Sequence, residues 1–70
     1  MFRVSVNGKH YKDYEFGEDA REAVWKIADE TEGINHECAV NHHDQDENMW
    51  IYIWKYIDSG DMLIIVIDEE

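Results

Sequence analysis

The chain has no proline, one cysteine and no long hydrophobic run. A lone cysteine, Cys38, excludes an internal disulfide, so a chain of 70 residues must gain its stability from packing or from association. No apolar run reaches the roughly 18 residues of a membrane helix, and the N-terminus lacks the apolar segment of a signal peptide. No linker composition interrupts the sequence. We therefore expect a single domain, residues 1–70, in the cytoplasm, with no membrane partner.

Basic residues are also scarce: six Lys and Arg stand against 17 Asp and Glu, a formal net charge of −11. Phosphate contacts need clustered Lys and Arg, so we expect no direct binding of nucleic acid. Three interpretations of the acid excess remain open. It serves solubility, it is an adaptation to high salt, or it meets a basic partner such as a nucleic-acid-binding protein.

The start of the chain has the pattern of a β-hairpin. Phe2–Val6 alternates apolar and polar residues, and Asn7-Gly8 is a strong hairpin signal because both residues accept positive φ. A second strand is predicted over about residues 9–16. The alternation of its aromatic residues changes near Asp13, which indicates a bulge or the end of the strand there.

A helix is predicted over residues 17–32. Asp19 is placed at its N-cap or in its first turn, and Gly33 is the predicted C-cap. Apolar and small residues recur with helical period and predict the core face: Ala20, Ala23, Val24, Ile27, Ala28 and Thr31.

Three further strands are predicted after the helix. One covers about residues 36–40 and leads into a polar loop over residues 41–48. The other two, residues 49–57 and 62–67, surround a turn at Ser59-Gly60 that sets Ile57 opposite Met62. The order is ββαβββ, which predicts an α+β fold: an antiparallel or mixed sheet with one helix packed on one face.

Both faces of this C-terminal hairpin are apolar, whereas one helix can cover only one face. We therefore predict that the hairpin contributes to a homodimer. The interface is assigned to its aromatic side chains: Trp50, Tyr52, Trp54 and Tyr56. The alternatives are a dimer that pairs the last strand edge-to-edge, a surface reserved for a different protein, and cover by the N-terminal hairpin.

Five residues spaced by three or four positions form one stripe on the outer side of the predicted helix. We call them the acidic stripe: Glu18, Glu22, Trp25, Asp29 and Glu32. Such carboxylates present negative charge much as a short nucleic-acid backbone does, and tryptophan is a favoured interface anchor. Loop acids extend the predicted partner-binding surface: Asp44, Asp46 and Glu47. The alternative is a solvated face with Trp25 packed against a neighbouring loop.

Metal binding and catalysis have little support. His36 and Cys38 share a face of the predicted third strand, and His42 and His43 follow, but this spacing matches no zinc motif. No nucleophile is paired with a histidine and an orienting acid, and there is no Gly-rich phosphate loop. We expect neither cofactor nor metal, and no enzymatic activity.

The size of the chain, the Asn7-Gly8 hairpin, the helix, the aromatic strand at residues 50–56 and the acid excess together resemble a group of small phage proteins. These are ββαβββ-type inhibitors of bacterial defence, notably anti-CRISPR proteins. Acidic members of the group, and related anti-restriction proteins, mimic DNA. The resemblance implies an inhibitor in the host cell cytoplasm that occupies the nucleic-acid-binding surface of a basic partner protein. The alternative function is a homodimeric accessory domain whose acidity serves only solubility.

Overall fold

A computed structural model describes all 70 residues. Five strands and one helix follow one another in the order ββαβββ: β1 (Phe2–Val6), β2 (Lys9–Tyr14), α1 (Gly17–Glu30), β3 (Val40–Asp44), β4 (Met49–Lys55) and β5 (Met62–Glu69). The strands form one antiparallel sheet in the order β2-β1-β5-β4-β3. The predicted α+β fold and its element order are confirmed.

The helix lies on one face of this sheet and packs mainly against β1, β2 and β5. It buries three small residues of its predicted core face, Ala20, Val24 and Ala28. Small side chains let the helix axis approach the sheet closely, so the larger side chains of the strands fill the space between them. The helix is neither long nor apolar enough to cross a membrane.

The helix begins at Gly17 as predicted, but its C-terminal end differs from the prediction. Phe16 is the N-cap residue and makes no side-chain cap, while Asp19 lies in the first turn, where the helix dipole favours a carboxylate. The helix ends at Glu30 because Thr31 is extended (φ −86°, ψ 122°). The Thr31 hydroxyl donates to the carbonyl of Ile27 at 2.7 Å. The prediction of Gly33 as the C-cap was therefore wrong.

The core lies between the helix and the aromatic face of the C-terminal hairpin. Its ten buried residues are all hydrophobic: Val4, Ala20, Val24, Ala28, Ile34, Tyr52, Trp54, Leu63, Ile65 and Ile67. The largest of them, Trp54, is 1% exposed. Of the two apolar faces of the hairpin, the aromatic one is thus the one that the helix covers.

The third strand is displaced from its predicted position. It spans Val40–Asp44, so the predicted strand at residues 36–40 is wrong and half of the predicted polar loop is a strand. Its pairing with β4 runs from Val40 opposite Ile53 to Asp44 opposite Met49. β3 is an edge strand with most of its side chains exposed, a position that tolerates polar residues. The hydrophobic pattern by itself therefore carried no signal for it.

Two registers also differ from the predicted ones. In the C-terminal hairpin Met62 lies opposite Lys55, not Ile57, and Tyr56 forms a bridge with Ile34 instead. A shift of two residues leaves every side chain on its predicted face, because side chains alternate with period two. In the N-terminal hairpin a bulge at Tyr11 shifts the register, and the second strand ends at Tyr14, next to Asp13, which is one of the two alternatives predicted there.

Truncation of the largest core residue tests this packing. We expect Trp54→Ala to lower the free energy of unfolding by about 3–5 kcal/mol, because it removes an indole and leaves a cavity under the helix. Ile57→Ala, at a largely exposed side chain, should change it by less than about 0.5 kcal/mol. Urea denaturation followed by circular dichroism measures both. Similar effects of the two changes would contradict the assignment of the core.

Candidate functional site

The structure places the carboxylates of the acidic stripe in solvent. Glu18, Glu22 and Asp29 lie on the exposed side of α1. Glu32 is also exposed, but it lies beyond the end of the helix and so no longer continues the helical spacing. The structure therefore brings three of the four predicted carboxylates into one row and leaves the fourth in the connection to β3.

Few of the carboxylates in the chain are neutralised by a neighbouring cation. The ion pairs within 4.0 Å are Arg3–Asp13, Arg3–Glu70 and His10–Asp13. No member of the acidic stripe is among them. The carboxylates of the helix face are thus exposed to solvent and are not held in ion pairs within the chain.

Trp25 has a different place from the one predicted. Its ring packs edge-on against Trp54 at 5.3 Å and against Tyr52 at 5.6 Å between centroids, although 44% of the residue stays exposed. The helix packs mainly over β1, β2 and β5, and the Trp25 side chain covers part of the neighbouring strand β4. It packs against the sheet and not, as in the alternative interpretation, against a loop. Trp25 is therefore both part of the fold and part of the surface.

A shallow hollow crosses the outer side of the helix beside Trp25. Its lining combines two aromatic residues with three carboxylates and one lysine: Tyr14, Asp19, Glu22, Ala23, Trp25, Lys26 and Asp29. The sequence analysis did not assign Tyr14, Asp19 or Lys26 to a site. A signal was present for the helical residues, because positions 19, 22, 26 and 29 also follow spacings of three and four.

The predicted loop acids lie in the β3–β4 turn. The Asp44 carboxylate accepts the backbone N–H of Asp46 at 3.1 Å and of Glu47 at 3.2 Å, so Asp44 shapes the turn while Asp46 and Glu47 are exposed. The turn lies beside the end of β5, where the Glu69 N–H donates to the carbonyl of Asn48. No hydrogen bond or ion pair joins the turn to the acidic stripe.

The helix N-terminus lies at this same end of the sheet. A Cβ added at Gly17 would approach the Phe2 ring at 3.3 Å, and the Phe2 ring lies 6.0 Å from that of Trp50. The exposed acids of the turn, of the first helical turn and of the C-terminus thus share one end of the molecule. The structure places the loop acids near the start of the acidic stripe without merging the two into one continuous row.

The aromatic residues assigned to an oligomer interface lie on the covered face of the hairpin. Tyr52 and Trp54 are 3% and 1% exposed. Trp50 is partly buried and stacks on His43 at 4.3 Å, and Tyr56 is partly buried beside Ile34. The assignment of an interface to Tyr52 and Trp54 is corrected, because a second copy cannot reach side chains that the helix and Trp25 already cover.

The histidines and the cysteine are dispersed. His36 and Cys38 lie in the connection before β3 and not on a strand, so the predicted shared strand face does not exist. The Cys38 thiol donates to the carbonyl of Val40 at 2.9 Å. His42 and His43 point to opposite faces of β3, and His43 is the one stacked on Trp50. No group of three or more His, Cys, Asp or Glu side chains is arranged to hold a metal ion.

The covering role of Trp25 can be tested by truncation. We expect Trp25→Ala to lower the free energy of unfolding by about 1–3 kcal/mol, because Tyr52 and Trp54 lose their edge-on contacts and become exposed to water. Glu22→Ala, on the exposed side of the same helix, should change it by less than about 0.5 kcal/mol. Urea denaturation measures the difference. A neutral Trp25→Ala variant would show that Trp25 is only a surface residue.

Burial gives Tyr52 a measurable effect on stability at high pH. Burial raises the pKa of Tyr52 above its ordinary value of 10.0, although the charge of Arg21 opposes the shift. The folded chain therefore holds this proton more tightly than the unfolded chain. The neutral Tyr52 side chain therefore contributes fully to the free energy of unfolding at all pH values below about 10. This contribution is lost as the pH rises further. We expect denaturation midpoints to fall less steeply above pH 10 in Tyr52→Phe than in the wild type. Equal slopes would contradict this.

The chain was also compared with known proteins. No protein-family model, curated protein or solved structure matches it. The function must therefore be inferred from the geometry and charge of its surface.

Proposed function

We propose that this chain is a non-enzymatic, protein-binding inhibitor. Its acidic helix face occupies a basic nucleic-acid-binding surface of a partner protein in place of the nucleic acid. The observation that carries the proposal is the row formed by Glu18, Glu22 and Asp29, exposed on one side of a helix and free of any ion pair within the chain.

The spacing of the row supports mimicry of a phosphate backbone. Side chains three or four positions apart on a helix lie about 5–6 Å from one another. From Glu18 to Asp29 the row extends over roughly 16 Å of helix axis, at about 1.5 Å per residue. A rigid array of negative charges of this length matches a few nucleotides of one strand, which a basic groove binds mainly through phosphate contacts.

The absence of internal ion pairs supports a role in recognition. An unpaired carboxylate needs no rearrangement before it meets Lys or Arg of a partner, and an excess of one charge accelerates association with a surface of opposite charge. Binding of this kind is weakened by salt, because the attraction between exposed charges is screened over about 10 Å at 0.1 M ionic strength.

Trp25 supports the proposal through its rigidity. Its contacts with Tyr52 and Trp54 hold the ring in place, yet almost half of the residue is exposed. A preordered aromatic surface loses little conformational entropy on binding, and tryptophan is enriched among residues that dominate binding energy. A guanidinium or ammonium group of the partner would find both carboxylates and an aromatic ring in the adjoining hollow.

The resemblance to small phage inhibitors supports the class of partner. On this proposal the chain is phage-encoded and acts in the host cytoplasm on a nucleic-acid-binding protein of a bacterial defence system. The alternative function is a homodimeric structural domain whose acidity serves only solubility. One observation favours it, namely the apolar sheet face that the helix leaves uncovered.

A competition assay with charge-reversed variants tests the proposed function. The probes are RNA-guided nucleases and restriction enzymes, whose binding to labelled DNA is followed by gel shift with and without the chain. We expect the wild type to block DNA binding by at least one of them, less effectively at high salt. The double variant Glu22→Lys/Asp29→Lys should be weaker by about tenfold or more, because it puts cations into the row.

Asp58→Lys/Asp61→Lys is the matched control. It changes the net charge by the same amount at exposed residues in the β4–β5 turn, outside the acidic stripe. This control should retain the activity of the wild type. Equal loss in both double variants would show that only net charge matters, and failure of the wild type to displace DNA from any probe would contradict the proposal.

A further inference from the structure

The sheet has a second apolar surface, on the side that faces away from α1. Its centre is a block of four side chains from the two neighbouring strands β4 and β5. Ile53 lies opposite Ile64, and Ile51 lies opposite Val66. All four are partly exposed. We call this side of the sheet the open face.

The apolar block continues into the neighbouring positions. Val40 lies beside Ile53 on β3, and two methionines of the hairpin, Met49 and Met62, extend the block along the strands. The helix lies on the other face. The connection between α1 and β3 also packs on that other face, where Ile34 is part of the core. The open face is therefore a broad apolar surface that the rest of the chain leaves uncovered.

We infer that the open face binds the open face of a second copy of this chain. The two sheets would pack face to face and be related by a two-fold axis. The axis lies between the sheets at a right angle to the strands, and it passes between the pair Ile53–Ile64 and the pair Ile51–Val66. This axis sets Ile53 of one copy against Ile51 of the other and Ile64 against Val66. Each contact then occurs twice, as in isologous dimers.

The charges on the open face fit the same axis. Arg3 is already paired with Asp13 and Glu70, and His10 is paired with Asp13. Lys55 lies at one end of the open face, opposite Met62. Asp68 lies at the other end, opposite Met49 on β4 and Arg3 on β1, and Asp44 lies opposite Met49 from the β3 side. Lys55, Asp68 and Asp44 take part in no ion pair within 4.0 Å in the chain, and the two-fold axis brings Lys55 of each copy to the end where both acids of the other copy lie.

The carboxylates of the acidic stripe do not oppose this arrangement. The carboxylates of the acidic stripe lie on the helix side of the sheet, so a face-to-face dimer holds them on its two outer surfaces. Repulsion between them is screened over such a separation. A second copy is therefore the occupant that matches both the apolar block and the opposite charges at its two ends.

The size of the open face predicts a weak dimer. Five strands about 4.8 Å apart, with about six residues of 3.3 Å each, span roughly 20 Å by 20 Å. That is a footprint of about 400 Å² per copy, or about 800 Å² in total, which is below the roughly 1,200–2,000 Å² that stable specific interfaces bury. We expect a dissociation constant in the micromolar range, about 1–100 µM.

Sedimentation equilibrium of the purified chain over a range of concentrations tests the inference. We expect the wild type to dimerise. Lys55→Glu and Asp68→Lys should each weaken self-association by about tenfold, because each variant places like charges together at both ends of its dimer. An equimolar mixture of the two variants should recover association close to that of the wild type, because the mixed dimer has opposite charges at both ends.

Further outcomes are decisive in either direction. Ile64→Lys should be monomeric while it keeps the circular dichroism spectrum of the wild type, because the site is partly exposed in the single chain. A wild type that stays monomeric up to about 1 mM overturns the inference. A dimer that Ile64→Lys leaves intact overturns the assignment of the face, and so does a mixture that associates no better than its components. The inference does not rest on the proposed function, since Glu22→Lys/Asp29→Lys should dimerise like the wild type.

Discussion

The structure depends on the pairing of β5 with two partners. β5 lies in the middle of the sheet, hydrogen-bonded to β1 on one side and to β4 on the other. The N-terminal hairpin and the C-terminal half of the chain are joined into one sheet only through this strand. Its helix-facing side chains, Leu63, Ile65 and Ile67, are buried, and they form the floor on which α1 packs. In this chain, which has no disulfide and no proline, the other elements therefore pack against or pair with one central strand that is apolar on both faces.

The same constraint divides the molecule into two surfaces. Because β5 and β4 are apolar on both faces, a single helix leaves one face uncovered. The helix then presents its own polar side to solvent, and there the carboxylates lack ion-pair partners. Trp25 belongs both to the core and to the surface of the helix side, since its ring completes the cover of Trp54 and also borders the hollow on the surface. The two proposals, recognition by charge on one side and association by apolar contact on the other, are therefore compatible within a small chain.

The predictable parts of the fold were those with strong local signals. Asn7-Gly8 determines a turn through positive φ at both residues, and both adopt it. The helical repeat of small and apolar residues predicted the buried face of α1. β3 carried no such signal, because an edge strand with polar side chains resembles a loop until its partner is known. The end of the helix was misplaced for a related reason: Ile34 pairs with Tyr56 and Gly33 with Ile57, and these long-range contacts are not visible in the local sequence.

Local sequence patterns were enough to predict the order of the elements, the grouping of side chains on the two faces of the C-terminal hairpin and the row of acids on the helix. Which hairpin face became the core depended on how the elements pack together. Periodicity cannot choose between two apolar faces, and hydrophobicity favours burying both. The choice is made by shape, because a helix with Ala20 and Ala28 toward the sheet leaves room for large rings such as Trp54 and brings Trp25 close enough to cover them. The aliphatic face of β4 and β5 was left outside, where its side chains stay partly exposed because no other element of the chain covers them.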